Sequence, residues 1–374
     1  SVVNQEDLER EQPTTVGDAL TDLPGIKAIG SDRVLGEGFN IRGFGSDLAG
    51  GENRLILQVD GATKFYQQYR MGSLFTEPEL YKRVEVLRGP ASSTLYGSGA
   101  LAGVITLETK DASDFLEGDD RFALRQKLEF TDNGLGGLSS TILAFRPSEN
   151  LELLGALTYR ANDNLEDGDG NEIRGSDFNT PSGLVKAKLT FGDDNAQSLS
   201  ASYQIWAYDE FTDYEQTSSS AFFGEVDREV IDQTATLKYA YAPPANDLID
   251  LEVTLSYSDT EVTQTNATAT FPSVLFEDSE YSYETFQFAV ENTSLLAFGE
   301  TEAFVTYGVQ ASRQERVGEA ESGPIGFQPG GTDTKLAGFV QAEVIFPFGL
   351  TLIPGLRYEF TELAPADNNT SFTE

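Results

Sequence analysis

The chain has 374 residues, no cysteine, no histidine and a formal net charge of −36. Without those two residue types it builds no disulfide, no thiolate or imidazole metal site and no histidine-dependent triad, so carboxylates are the main acid–base groups and an enzyme is a poor fit. The negative charge excludes a nucleic-acid partner, because a polyanion gains nothing from counterion release at such a surface.

No apolar stretch approaches the roughly 18 residues of a transmembrane helix, which excludes a helical membrane protein. Ser1 opens without a basic, apolar leader. A leader is removed on secretion, so export remains open.

The first stretch mixes short helices and strands. Asn4 is expected to cap a helix through Arg10, and Thr15 to cap one that ends near Leu23, before Pro24-Gly25. Leu55 to Val59 and Val84 to Leu87 read as strands, each closed by a turn with glycine. From Glu77 to Lys110 the sequence is EPELYKRVEVLRGPASSTLYGSGALAGVITLETK. It joins a short helical signal, a strand, a turn at Arg88-Gly89-Pro90, a bend at Gly97, Gly99 and Gly103, and a second strand. Those glycines suit positive φ and close backbone approach. A dinucleotide fingerprint needs a helix where VITLET follows.

From about residue 121 the period becomes two. Ile249, Leu251, Val253, Leu255 and Tyr257 alternate with Asp250, Glu252, Thr254, Ser256 and Ser258, giving a strand one apolar and one polar face. Eleven such segments are read at 121–130, 138–146, 151–161, 184–191, 197–208, 231–242, 248–258, 284–296, 301–313, 335–346 and 350–361. Tight connections rich in Pro, Gly or Asn alternate with long ones at 162–183, 209–230, 259–283 and 314–334, as membrane barrels require. Residues 1–120 hold 20 of the 61 acids and 11 of the 25 bases, so the remainder carries 41 against 14. That acidity reads as solvated loop tips. In the acidic loop from Asp163 to Asp177, Glu172 stands where a calcium loop starting at Asp167 needs glycine, which favours a solvated loop over a metal site.

LTDLPGI at residues 20–26, FNIRGFG at 39–45, LILQVDG at 55–61 and the 77–110 stretch, in this order, resemble the plug domain of TonB-dependent outer-membrane receptors. The sequence from about Phe122 resembles the barrel around such a plug. The resemblance implies a mainly β fold: an antiparallel transmembrane β-barrel of the 22-stranded type, about half present, with a mixed α/β plug at 1–120 inside it and the barrel at 121–374. A spanning sheet must close, because each unpaired backbone group costs several kcal/mol in hydrocarbon. Further strands are therefore expected beyond Glu374, and the TonB-coupling segment ahead of Ser1. The resemblance also implies a bacterial outer-membrane location, with membrane lipid and the TonB energy-transducing complex as partners. As function it implies active uptake of an iron complex, haem-like or siderophore, with a carrier protein as a further partner, no resident cofactor and no catalysis. The alternative is a passive porin-like or adhesin barrel.

By the same resemblance, Arg42 in IRGF and Glu85 and Arg88 in VEVLRGP make ionic contacts with the barrel. Residues 62–75 resemble the plug apex, where Tyr66, Tyr69, Arg70 and Met71 are expected to meet the cargo. The motifs look most like the haem-uptake branch, which places a histidine where Arg70 aligns. Tyr66, Tyr69 or Met71 then serve as substitute ligands, the iron ligand lies beyond Glu374, or the cargo differs. Tyr208, Phe211, Tyr214, Phe222 and Phe223, in and beside the 209–230 connection, are expected to contact a protein or ligand, since aromatics are costly to leave exposed among acids.

Overall fold

The structure is a computed structural model that describes residues 1–30, 34–35, 37–45, 54–66, 71–89, 93–216, 221–269, 276–326 and 328–366. Pro90 of the expected turn and the expected loop at 367–374 lie outside the described residues.

Asn4 and Thr15 each accept a hydrogen bond from the backbone N–H three residues on, while Asp7 and Asp18 return the bond, so both helices open on capping boxes. They span Gln5–Glu11 and Val16–Leu20. The second stops short of Leu23 because the Thr21 N–H turns back to the Asp18 carbonyl, tightening the last turn. A five-stranded mixed sheet follows in the order Val2–Asn4, Tyr81–Arg88, Gly103–Thr109, Leu55–Val59, Ala62–Lys64. Only Leu55–Val59 and Gly103–Thr109 run parallel in it. The helical signal at Glu77 condenses to one 3₁₀ turn, Pro78–Leu80. Leu20, Phe39, Ile41, Val59, Tyr81, Val84, Ile105 and Leu107 fill the core beneath the sheet, each worth about 1.5–3 kcal/mol on burial. Gly89, Gly97 and Gly103 have φ of +95°, +116° and +147°, whereas Gly99 does not enter that region. At Gly103 a Cβ would lie 2.0 Å from the Leu87 carbonyl oxygen, so only glycine fits there.

From Phe122 onward eleven long strands form one antiparallel meander, each paired with its neighbour in sequence: Phe122–Thr131, Gly136–Ser148, Leu151–Asn162, Phe178–Phe191, Gln197–Asp213, Glu225–Tyr241, Leu251–Thr265, Ser279–Phe298, Thr301–Ala320, Gly331–Ile345 and Gly355–Pro365. Every expected strand is present and in order. Most run further toward the long connections than their apolar alternation does, for example to Asp213 and Thr265 and from Phe178 and Ser279. Ladder hydrogen bonds persist there although the regular apolar–polar alternation has lapsed. The acidic loop folds into a small hairpin, Leu165–Glu166 on Glu172–Ile173, turned by Asp167, whose side chain accepts the N–H groups of Asp169 and Asn171 at 2.9 Å each. The first and last long strands do not pair with each other, so the described sheet is open.

Register makes the two faces explicit. Directly opposed residues form one row across all eleven strands: Phe122, Phe145, Leu153, Ala187, Ala201, Leu237, Leu255, Phe288, Ala311, Leu336 and Phe360. Every member is apolar. The row one residue along runs Lys186, Ser202, Thr236, Ser256, Gln287, Ser312, Lys335 and Thr361 through the later strands, polar throughout, and faces the N-terminal module. A one-residue slip would exchange the faces.

Candidate functional site

The N-terminal module sits against the concave polar face of the wall, and the seam between them carries most of the buried charge. Pro78 fixes the 3₁₀ turn from which Glu77 and Glu79 project, while Leu80 packs with Ile142, Ala144, Leu154 and Leu184 of the wall. Arg160 grips Glu77 with both prongs of its guanidinium, Nε to Oε2 at 3.0 Å and Nη2 to Oε1 at 2.8 Å. Glu79 receives Lys110 at 3.0 Å, Lys127 at 3.1 Å and Arg125. Burial alone would raise the Glu79 carboxyl, but those cations outweigh it and hold it at about 2.

Two further contacts fasten the module. Asp111 lies between Lys82 at 2.7 Å and Lys186 of the wall at 2.8 Å. Burial opposes the charged form there too, yet the two lysines keep the Asp111 carboxyl below its ordinary value. Higher up, Lys64 meets Asp232 of the wall at 2.8 Å and donates to Thr234 at 3.1 Å, while Asp232 accepts from Thr260 at 2.7 Å. Both side chains are under 5% exposed. Charges so enclosed are tolerable only when paired and hydrogen-bonded, and removing one partner strands the other. Deeper in the module, Glu37 accepts the Gly17 N–H at the start of the second helix. Burial, reinforced by the negative charge of Asp18, pushes its carboxyl up to about 8 in spite of that bond. Above Lys64 an aromatic cap closes the seam: Tyr66, Met71 and Phe75 of the module with Trp206, Tyr208, Tyr281 and Tyr283 of the wall.

A module that folds on its own sheet, enclosed by a wall with an outward apolar face and tied to it by polar contacts, matches two family models. Residues 1–104 match the TonB-dependent receptor plug domain, and residues 158–373 match the TonB-dependent receptor-like β-barrel. The chain belongs to the TonB-dependent receptor family. Its members are outer-membrane β-barrels, transporters rather than enzymes. Among curated relatives, this receptor chain is 30% identical over 335 residues to the TonB-dependent heme receptor A of Haemophilus influenzae, covering 84% of this chain and 44% of that protein. It is 29% identical over 372 residues to the hemin receptor of Yersinia enterocolitica, covering 96% and 50%. The chain thus spans about half the length of the curated relatives it matches. Among solved structures it superposes on the hemophore receptor HasR of Serratia marcescens, captured with its hemophore HasA and heme, with a TM-score of 0.78 at 23% identity, covering 97% of this chain and 52% of that one. The FrpB iron transporter of Neisseria meningitidis gives 0.80 at 19% identity, covering 98% and 59%. At these identities the structures show the fold.

In this TonB-dependent receptor chain several of the anticipated site residues take different places from those the motifs indicate. Arg42 is exposed in the turn between Gly38–Ile41 and Phe44–Gly45. Glu85 pairs with Arg83 of its own strand at 2.8 Å, and Arg88 donates to the Ser1 hydroxyl at 2.7 Å. Both contacts lie within the plug. Glu77, Glu79, Asp111 and Lys64 make plug–wall ion pairs instead. Tyr66 and Met71 are 2% and 0% exposed, the hydroxyl of one 3.6 Å from the sulfur of the other. They seat the apex in the aromatic cap instead of facing incoming cargo, since rings that large are worth more buried. Tyr69 and Arg70 lie outside the described residues. Tyr208 is buried and stacked on Trp206, and Tyr214 is buried against Phe276 with the Arg228 guanidinium 5.5 Å from its ring. Phe211 lies on the outward face of its strand, half exposed. Phe223 stacks on Phe276 at 4.9 Å, and Phe222 is 71% exposed. A sequence signal for the missed wall partners did exist: Arg160 and Asp232 are charges in the inward phase of otherwise regular strands.

Proposed function

We propose that this chain builds part of an active receptor that takes an iron complex, haem-like before siderophore, across the outer membrane, the plug being displaced by energy relayed from the inner membrane through TonB. The seam supports this reading. A passive pore has no need of an internal stopper, and a stopper that must move is better held by separate ion pairs, each reversible on hydration, than by one continuous apolar core. Relatives named as haem and hemin receptors favour haem as cargo. Carbon chemistry plays no part, and the cargo is carried without a resident cofactor. In this reading a carrier protein docks at the external end, where Phe222 is exposed.

The test is a Soret-band titration of the intact receptor, purified in detergent, with haem. Saturable binding with a shifted band is expected. A spectrum identical to free haem at all ratios removes haem as cargo and leaves siderophores.

A further inference from the structure

Resting on that reading, we propose that Arg316 and Lys335 form a subsite for a carboxylate of a flat aromatic iron complex, on the inner face of the wall beside the plug apex. Arg316 comes from the Thr301–Ala320 strand and Lys335 from the neighbouring Gly331–Ile345 strand, two residues along from Asp333 and therefore on the same face. The Arg316 guanidinium lies 5.1 Å from the ring of Phe65, on the plug, and 5.7 Å from that of Tyr283, on the wall. Its Nε donates to Gln314 at 2.6 Å, and Gln314 in turn donates to Thr285 at 3.0 Å. Two aromatic rings and a fixed amide thus hold the guanidinium, and stacking leaves its in-plane N–H groups free for a bidentate acceptor.

Both cations reach the Oδ2 atom of Asp333, at 3.4 Å from Arg316 and 3.1 Å from Lys335, while the nearby Glu359 is paired with Arg357 at 2.8 Å. One carboxylate against two cations leaves a net positive charge. Among the described residues, three of the five N–H donors of Arg316 and two of the three of Lys335 have no partner. The buried Oδ1 atom of Asp333 likewise has no hydrogen-bond partner, so it offers an acceptor to a donor on the ligand or to water. The side chains of Arg316 and Lys335 remain 32% and 41% exposed. Three cations at the plug–wall seam are more enclosed: Lys64, Lys110 and Arg160 are under 10% exposed and locked to plug or wall carboxylates.

In a chain of net charge −36 this concentration of unspent positive charge matters. An anionic ligand is repelled by most of the surface and held where the local field reverses. A ring system with peripheral carboxylates fits: the acid on Arg316 and Lys335, the ring plane beside Phe65.

The experiment compares haem with haem dimethyl ester, in which both carboxylates are blocked, by Soret titration of the intact receptor in detergent. The unaltered receptor should bind haem about tenfold to a hundredfold more tightly than the ester, the range for charge-assisted hydrogen bonds. Arg316→Gln and Lys335→Gln should each weaken haem binding, leave ester binding unchanged and bring the ratio toward one, while Arg316→Lys retains part of it. Saturable haem binding with a ratio near one in the unaltered receptor, a ratio that survives both substitutions, or equal loss of haem and ester overturns the subsite and leaves the uptake reading standing. Absence of saturable haem binding in the unaltered receptor overturns the subsite together with haem as cargo, and leaves siderophore uptake.

Discussion

Glu37 and Glu79 show how environment gives two carboxyls of one small module opposite behaviour. Glu79 is held at about 2, so the stability that its cations confer is present above the ordinary value of 4.5 and is lost as the pH falls toward 2. Glu37 is raised to about 8. The folded plug prefers it protonated, so its stabilising contribution is complete below about 4.5 and disappears as the pH rises through 8. Glu37→Gln keeps an acceptor for the Gly17 N–H and removes the proton, so resistance of the plug to urea should become flat between pH 6 and 9 where the unaltered protein weakens. An unchanged alkaline decline in the variant would show that another group titrates. The motif residues Arg42, Glu85 and Arg88 were visible in the sequence, but their partners were not. Which side of a short strand faces the wall depends on how the plug docks, and no local pattern records that.

Among the elements, the strands were the most legible because side-chain period is a purely local property. The apolar row from Phe122 to Phe360 follows from alternation together with antiparallel pairing, and the sequence already separates Leu255 from Ser256 as outward and inward. Leu255 lies within the outward series Leu251, Val253, Leu255 and Tyr257, below Asp259. Leu255→Lys should therefore cost about 2–4 kcal/mol, the depth-dependent penalty for a lysine near the bilayer midplane, and Leu255→Met little. Refolding into lipid vesicles under a urea gradient measures both; equal midpoints would place Leu255 off the lipid face. Strand length was less legible. Beyond Tyr208 and Tyr257 the alternation lapses while the ladder continues, so apolar period alone does not mark these strand ends.

For the whole molecule, plug and wall divide the work. The wall supplies an apolar exterior and a polar interior, and the plug fills that interior by folding on its own core and bonding outward through Glu77, Glu79, Asp111 and Lys64. Deleting the plug from the intact receptor should leave a wall that still reaches the outer membrane but no longer takes up cargo, with faster influx of a hydrophilic dye. Uptake that survives the deletion would refute a transport role for the plug.

Alternation, turn chemistry, capping signals and four ordered motifs determined the strand count, both capped helices, the change from mixed module to regular sheet and the family. All of these depend on residues near one another in the chain. Tertiary structure alone decided that Tyr66 and Met71 are enclosed, that Glu77 meets Arg160 and Lys64 meets Asp232, and that Arg316 and Lys335 share one carboxylate beside Phe65. Those partners lie tens to hundreds of residues apart, and their meeting depends on sheet curvature and plug docking, which no local spacing encodes.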